Sequence, residues 1–140
     1  MRVKCLDVSL TSEQKLFLGV PESVRTRHQI TVGATYTVLG LSFVIGSHFF
    51  GSGPVLEILD DASPCISLVP LCLFEIVDPR PSRFWVARKV NDFTLSLWPE
   101  EFYEDYFHDR LSDGEPIGVE AFRRVVDRLE NEFVVNNNQV

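Results

Sequence analysis

The 140-residue chain has no apolar run of the ~18 residues that a membrane-spanning helix needs. It has no Cys-x-x-Cys, no Gly-x-Ser-x-Gly, no Gly-Lys-Ser/Thr phosphate loop and no internal repeat. The three histidines, His28, His48 and His108, are scattered, and Cys65 and Cys72 stand seven apart. A zinc site needs four convergent donors, which this spacing does not supply, so neither a metal nor a cofactor is expected. The three cysteines are odd in number, and charges interrupt Met1–Asp7 where a secretory signal would need an apolar run. A reducing, cytoplasmic setting with free thiols follows as the expectation. With no nucleophile motif and no dinucleotide fingerprint, an enzyme is the less favoured class, and Asp60-Asp61 reads as a strand-ending turn.

What the chain does have is bulk and an uneven charge. Eleven phenylalanines imply a core built on aromatic volume. From Glu100 onward there are eleven acids and four bases, and the first 99 residues are neutral, so the whole net charge of −7 sits in the C-terminal segment. That asymmetry disfavours direct nucleic-acid binding, where phosphate repels carboxylate, and favours a basic protein partner. Nothing suggests a membrane.

The chain is short enough for one domain. Thr11-Ser12-Glu13-Gln14 fits a capping box that opens a helix through about Leu18, closed by Gly19-Val20-Pro21. Strands are expected at Val3–Val8, Thr35–Leu39, Val55–Leu59, Cys65–Val69 and Phe74–Val77. Phe84–Lys89 and Phe93–Trp98 read as a hairpin, with Phe84, Val86 and Arg88 on one face and Trp85, Ala87 and Lys89 on the other. Pro116 begins a helix in which Val119, Phe122, Val125, Val126, Leu129 and Phe133 recur at helical spacing. Asn136–Val140 is a polar tail. Strands first and helices last give an α+β class. The expected architecture is a small antiparallel barrel or curled sheet over residues 1–77, followed by a hairpin and two amphipathic helices over 84–135.

Pro99–Leu111 is the most pointed stretch. As one helix it carries Glu100, Glu101, Glu104, Asp105 and Asp109 on one half and Phe102, Tyr103, Tyr106, Phe107 and Leu111 on the other. Glu100/Glu104 and Glu101/Asp105 would then be like-charge pairs at i,i+4, each costing a few tenths of a kcal/mol. Such a stripe suits a cationic cleft on a partner. A second candidate surface is the loop Gly46–Pro54, whose Phe49 and Phe50 would act as anchors if exposed. Arg80, Arg83, Arg88 and Lys89 gather around Trp85 and are expected to pair with the acidic helix.

Ile30-Thr31-Val32-Gly33-Ala34-Thr35-Tyr36-Thr37-Val38 resembles the opening strand of SH3-like small barrels. Leu68-Val69-Pro70-Leu71-Cys72-Leu73-Phe74-Glu75-Ile76 resembles their short 3₁₀ turn and closing strand. The likeness spans about Thr31–Val77 and implies barrel geometry, not polyproline binding. In size, charge and organisation the whole chain is similar to bacterial immunity proteins that neutralise toxins. That resemblance implies a non-enzymatic inhibitor that occludes a partner's basic or active-site cleft through Glu100, Glu101, Glu104, Asp105, Asp109, Phe49 and Phe50. The alternatives are a small-ligand binder or enzyme with a pocket between barrel and helices, and a homodimer or other self-assembly that buries the aromatic half of the acidic helix.

Overall fold

A computed structural model describes residues 1–62 and 65–134. Antiparallel strands with period-two burial organise it. In β1 (Arg2–Cys5) Val3 and Cys5 are buried and Arg2 and Lys4 are exposed. β1 lies between β2 (Thr35–Thr37) and β6 (Phe74–Asp78) in a three-stranded sheet. A five-stranded sheet has the order β5 (Ile66–Pro70), β4 (Gly51–Leu59), β3 (Gly40–Ser47), β8 (Thr94–Pro99), β7 (Trp85–Asn91). The class is mixed α+β, as expected, but neither sheet closes into a barrel.

The five-stranded sheet is the middle layer. Leu41, Leu56, Ile58 and Val69 pack with Val3, Cys5 and Tyr36 of the small sheet in one apolar cluster. Alternate positions go the other way. Leu59 and Trp98 join a second cluster with Phe102, Phe107, Leu111, Phe122, Val125, Val126 and Leu129 from the C-terminal segment. The hairpin obeys the same parity: Trp85 packs against the first cluster and Phe84 against the second.

α1 (Ser12–Leu18) starts as its sequence predicts. Thr11 Oγ1 accepts from the Gln14 amide at 3.1 Å, and Gln14 Oε1 accepts from the Thr11 amide at 2.9 Å. Gly19, at φ +80°, closes it. The 3₁₀ turn Leu71–Leu73 precedes β6, and α3 (Pro116–Asn131) begins on Pro116. Asp60-Asp61 is a turn: Asp60 Oδ1 takes the Ala62 amide, and Asp61 Oδ2 takes the hydroxyls of Thr31 and Tyr36 at 2.7 and 2.8 Å. The three cysteines are free thiols. Among the described residues no helix is long and apolar enough to cross a membrane. The tail Asn136–Val140 lies outside the described residues.

Two further expectations do not hold. Gly46–Pro54 is not a loop but the tip of a hairpin: Gly46 and Ser47 end β3, His48–Phe50 turn, and Gly51–Pro54 open β4. The glycines and serines that read as a loop allow this bend, since Gly46 and Gly51 hold φ of +67° and +66°. Nor does Pro99–Leu111 run as one helix.

Gly51 is fixed twice over, by its left-handed φ and by a Cβ that would sit 2.1 Å from the Leu18 carbonyl oxygen. Gly51→Ala is therefore expected to lower the unfolding free energy by at least about 2 kcal/mol. Urea denaturation checks this, and an unchanged midpoint contradicts the packing of α1 on the hairpin.

Candidate functional site

Pro99–Leu111 is not one helix. Glu100–Tyr103 form a 3₁₀ turn, Glu104 is extended at ψ 145°, and Tyr106 sits in the left-handed region at φ 60°, ψ 22°. α2 (Phe107–Ser112) begins after it. Tyr106 is the only non-glycine residue with positive φ among the described residues. Such a conformation costs an L-residue about 1–2 kcal/mol, so the surroundings must compensate.

Packing supplies the compensation. In a continuous helix Phe102 and Phe107 would point ~140° apart. With the break they stack, ring centroids 5.0 Å apart and 23° from parallel. Phe102, 2% exposed, also meets Phe122 of α3 at 6.4 Å. Tyr103 turns toward the sheet, its hydroxyl within 2.6 Å of the Val86 carbonyl and 2.9 Å of the Ser96 carbonyl. Burial raises the Tyr103 pKa and keeps that hydroxyl protonated as a donor.

Beneath the break lies a buried polar group that the sequence reading missed. Glu57 of β4 is 2% exposed on the helix-facing side of the sheet. Its Oε1 hydrogen-bonds His108 Nε2 at 3.1 Å, and His108 rests against Trp98 with ring centroids 4.9 Å apart. Glu57 Oε2 and Trp98 Nε1 are buried with no hydrogen-bond partner among the described residues. Gly40 makes room: a Cβ there would sit 2.8 Å from Trp98 Cδ1 and 3.5 Å from Glu57 Oε2. The signal was a single acid inside the apolar run Val55-Leu56-Glu57-Ile58-Leu59, which as a central strand must bury it. The cavity beside His108, lined by Ile66, Leu68, Leu111 and Ser112, holds about 160 Å³.

The acidic residues divide. Glu101 is bound at home: both its oxygens accept from the Arg128 guanidinium, at 3.0 and 2.7 Å. Arg128 beside it holds the Glu101 carboxyl below its ordinary value of 4.5. Glu100 lies 3.8 Å from Arg88, whose guanidinium sits 4.6 Å over the Tyr103 ring. Glu104, Asp105 and Asp109 are exposed and make no ion pair among the described residues. Tyr106, expected on the buried half, is 73% exposed between them.

Of the basic group, only Arg88 meets an acid of Pro99–Leu111. Arg80 pairs with Asp78 at 2.6 Å, Arg83 lies 3.9 Å from Glu132, and Lys89 lies 3.2 Å from Asp92. Phe49 is 58% exposed and Phe50 half-buried at the hairpin tip. Gly40, at the acidic end of β3, and Ser47, at the tip, are separated by roughly 20 Å of strand. The phenylalanine pair and the acidic residues therefore do not form one surface. Among the described residues no group of three or more His, Cys, Asp or Glu could hold a metal ion.

Comparison with known proteins finds no matching family model, no matching curated protein and no matching solved structure.

Two outcomes follow from this geometry. His108→Ala leaves Glu57 buried with neither oxygen paired and is expected to cost about 3 kcal/mol. Adding Glu57→Met should recover part of that loss; full additivity in the double-mutant cycle contradicts the pairing. Glu101 has a depressed native pKa, so the Arg128 pair stabilises fully above pH 4.5 and loses its contribution as the pH falls through that lowered value. The pair is a third exposed, so Glu101→Gln should cost at most about 1 kcal/mol near neutrality. In urea titrations that difference should vanish at strongly acidic pH; a difference that grows on acidification reverses the sign and refutes it.

Proposed function

We propose that this chain is a non-enzymatic binding protein that covers a cationic surface of a partner protein, in the manner of an immunity-type inhibitor. The contact is smaller than the sequence alone implied. It centres on Tyr106 and on Glu104, Asp105 and Asp109, and it leaves out Glu101, which Arg128 already occupies.

One observation carries this reading. Three exposed carboxylates without a partner among the described residues flank an aromatic side chain that is 73% exposed and held out by a left-handed backbone. Unpaired carboxylates attract Lys and Arg and speed encounter with a basic protein. Tyrosine has only two side-chain torsions, so it gives a large contact area at small entropic cost. The stack of Phe102 on Phe107 anchors both ends of the knuckle, which limits what binding must order.

A photo-crosslinking residue placed at Tyr106, used in the native host, tests the proposal. The expected product is a crosslink to a basic protein whose affinity for the unmodified chain falls with added salt. That affinity should drop at least about tenfold in Glu104→Lys/Asp105→Lys and in Tyr106→Ala, and hold in Phe49→Ala. A partner whose affinity ignores the charge reversals overturns the reading.

A further inference from the structure

At the far end of the β3–β4 hairpin the charge is reversed. A cavity of about 260 Å³ opens between α1, the stretch that follows it and the hairpin tip. Lys15, Arg25, His28, Ser9 and Thr26 line it, Phe49 stands on its wall, and no carboxylate is among the described lining residues. In a chain of net charge −7 that is a concentrated cationic spot.

Lys15 is the informative residue. It is 7% exposed, and its ammonium has one partner among the described residues, the Glu22 carbonyl, which accepts from Nζ at 3.2 Å. An ammonium has three donors and carries a full charge. A buried cation without an anion is costly unless something supplies the charge. Glu22 does not: its Oε1 accepts from the Ser12 hydroxyl at 2.8 Å, and only its carbonyl faces Lys15. His28 is 9% exposed, and burial pushes its pKa down, so near neutrality it lines the cavity as an uncharged imidazole. Phe49 is held edge-on against His48, centroids 4.9 Å apart, which steadies its ring at the wall.

We infer that this cavity binds a small organic anion, a carboxylate or phosphate on a compact aromatic body, with Lys15 and Arg25 taking the charge and Phe49 the ring. The volume equals that of roughly nine water molecules, enough for one substituted ring and too little for a nucleotide. His28, Ser9 and Thr26 add hydrogen bonds to the anionic oxygens. The cavity shares no residue with the acidic knuckle.

Calorimetric titration of the full chain with phenyl phosphate, benzoate, inorganic phosphate and benzylamine tests it. Saturable one-to-one binding is expected for phenyl phosphate or benzoate, and none for benzylamine. Lys15→Met should weaken that binding at least about tenfold. Should Lys15→Met fail to fold, the exposed Arg25→Gln decides, with a several-fold loss expected. Phe49→Ser should weaken phenyl phosphate and leave inorganic phosphate unchanged. Absence of saturable binding by either aromatic anion, equal binding of benzylamine, or wild-type affinity in the deciding variant overturns the proposal.

Discussion

The carboxylate of Glu57 is the constraint from which the C-terminal half follows. β4 is an interior strand with β3 and β5 paired to its edges, and an apolar cluster lies on each of its faces. One face meets the small sheet through Leu56 and Ile58; the other presents Glu57 to the helices. A buried carboxylate has to be met, and His108 meets it. For His108 to reach down while Phe102 and Phe107 both enter the core, the chain between them cannot run as one helix. The extended Glu104 and left-handed Tyr106 are the local cost of satisfying the deeper layer. Glu104, Asp105 and Tyr106 are thereby turned outward, which makes the same constraint the source of the candidate binding surface.

Much of the fold was legible because local rules and tertiary demands agreed. The capping box at Thr11, Pro116 at the start of α3, the apolar spacing Phe122–Leu129 and the hairpin parity around Trp85 each encode one element without outside help. Legibility failed where a distant residue decided the outcome. The Pro99–Leu111 pattern is amphipathic at helical spacing, but its two like-charge pairs already weakened it. Arg128, 27 residues away, then withdrew Glu101 from the stripe. β3 was hidden because its glycines and serines carry turn signals, although they serve a strand that bends. Tyr106 was assigned to the core by periodicity alone, which holds only while the helix is unbroken.

The two candidate surfaces divide the charge of the chain. Among the described residues, the knuckle at Glu104–Asp109 keeps carboxylates without counter-ions, and the cavity over α1 keeps an ammonium without one. Each is an imbalance that a neutral scaffold would remove by substitution. They stand roughly 20 Å apart along the β3–β4 ribbon, beyond the ~8 Å over which charges act through physiological salt. They cannot neutralise each other, and each is open to a separate partner.

The break at Tyr106 is the backbone consequence of meeting Glu57. Backbone NMR chemical shifts across Glu100–Leu111 read it most directly. Helical shifts over Phe107–Leu111, an extended shift at Glu104 and a left-handed φ at Tyr106 are expected. Uninterrupted helical shifts from Glu100 to Leu111 would contradict it.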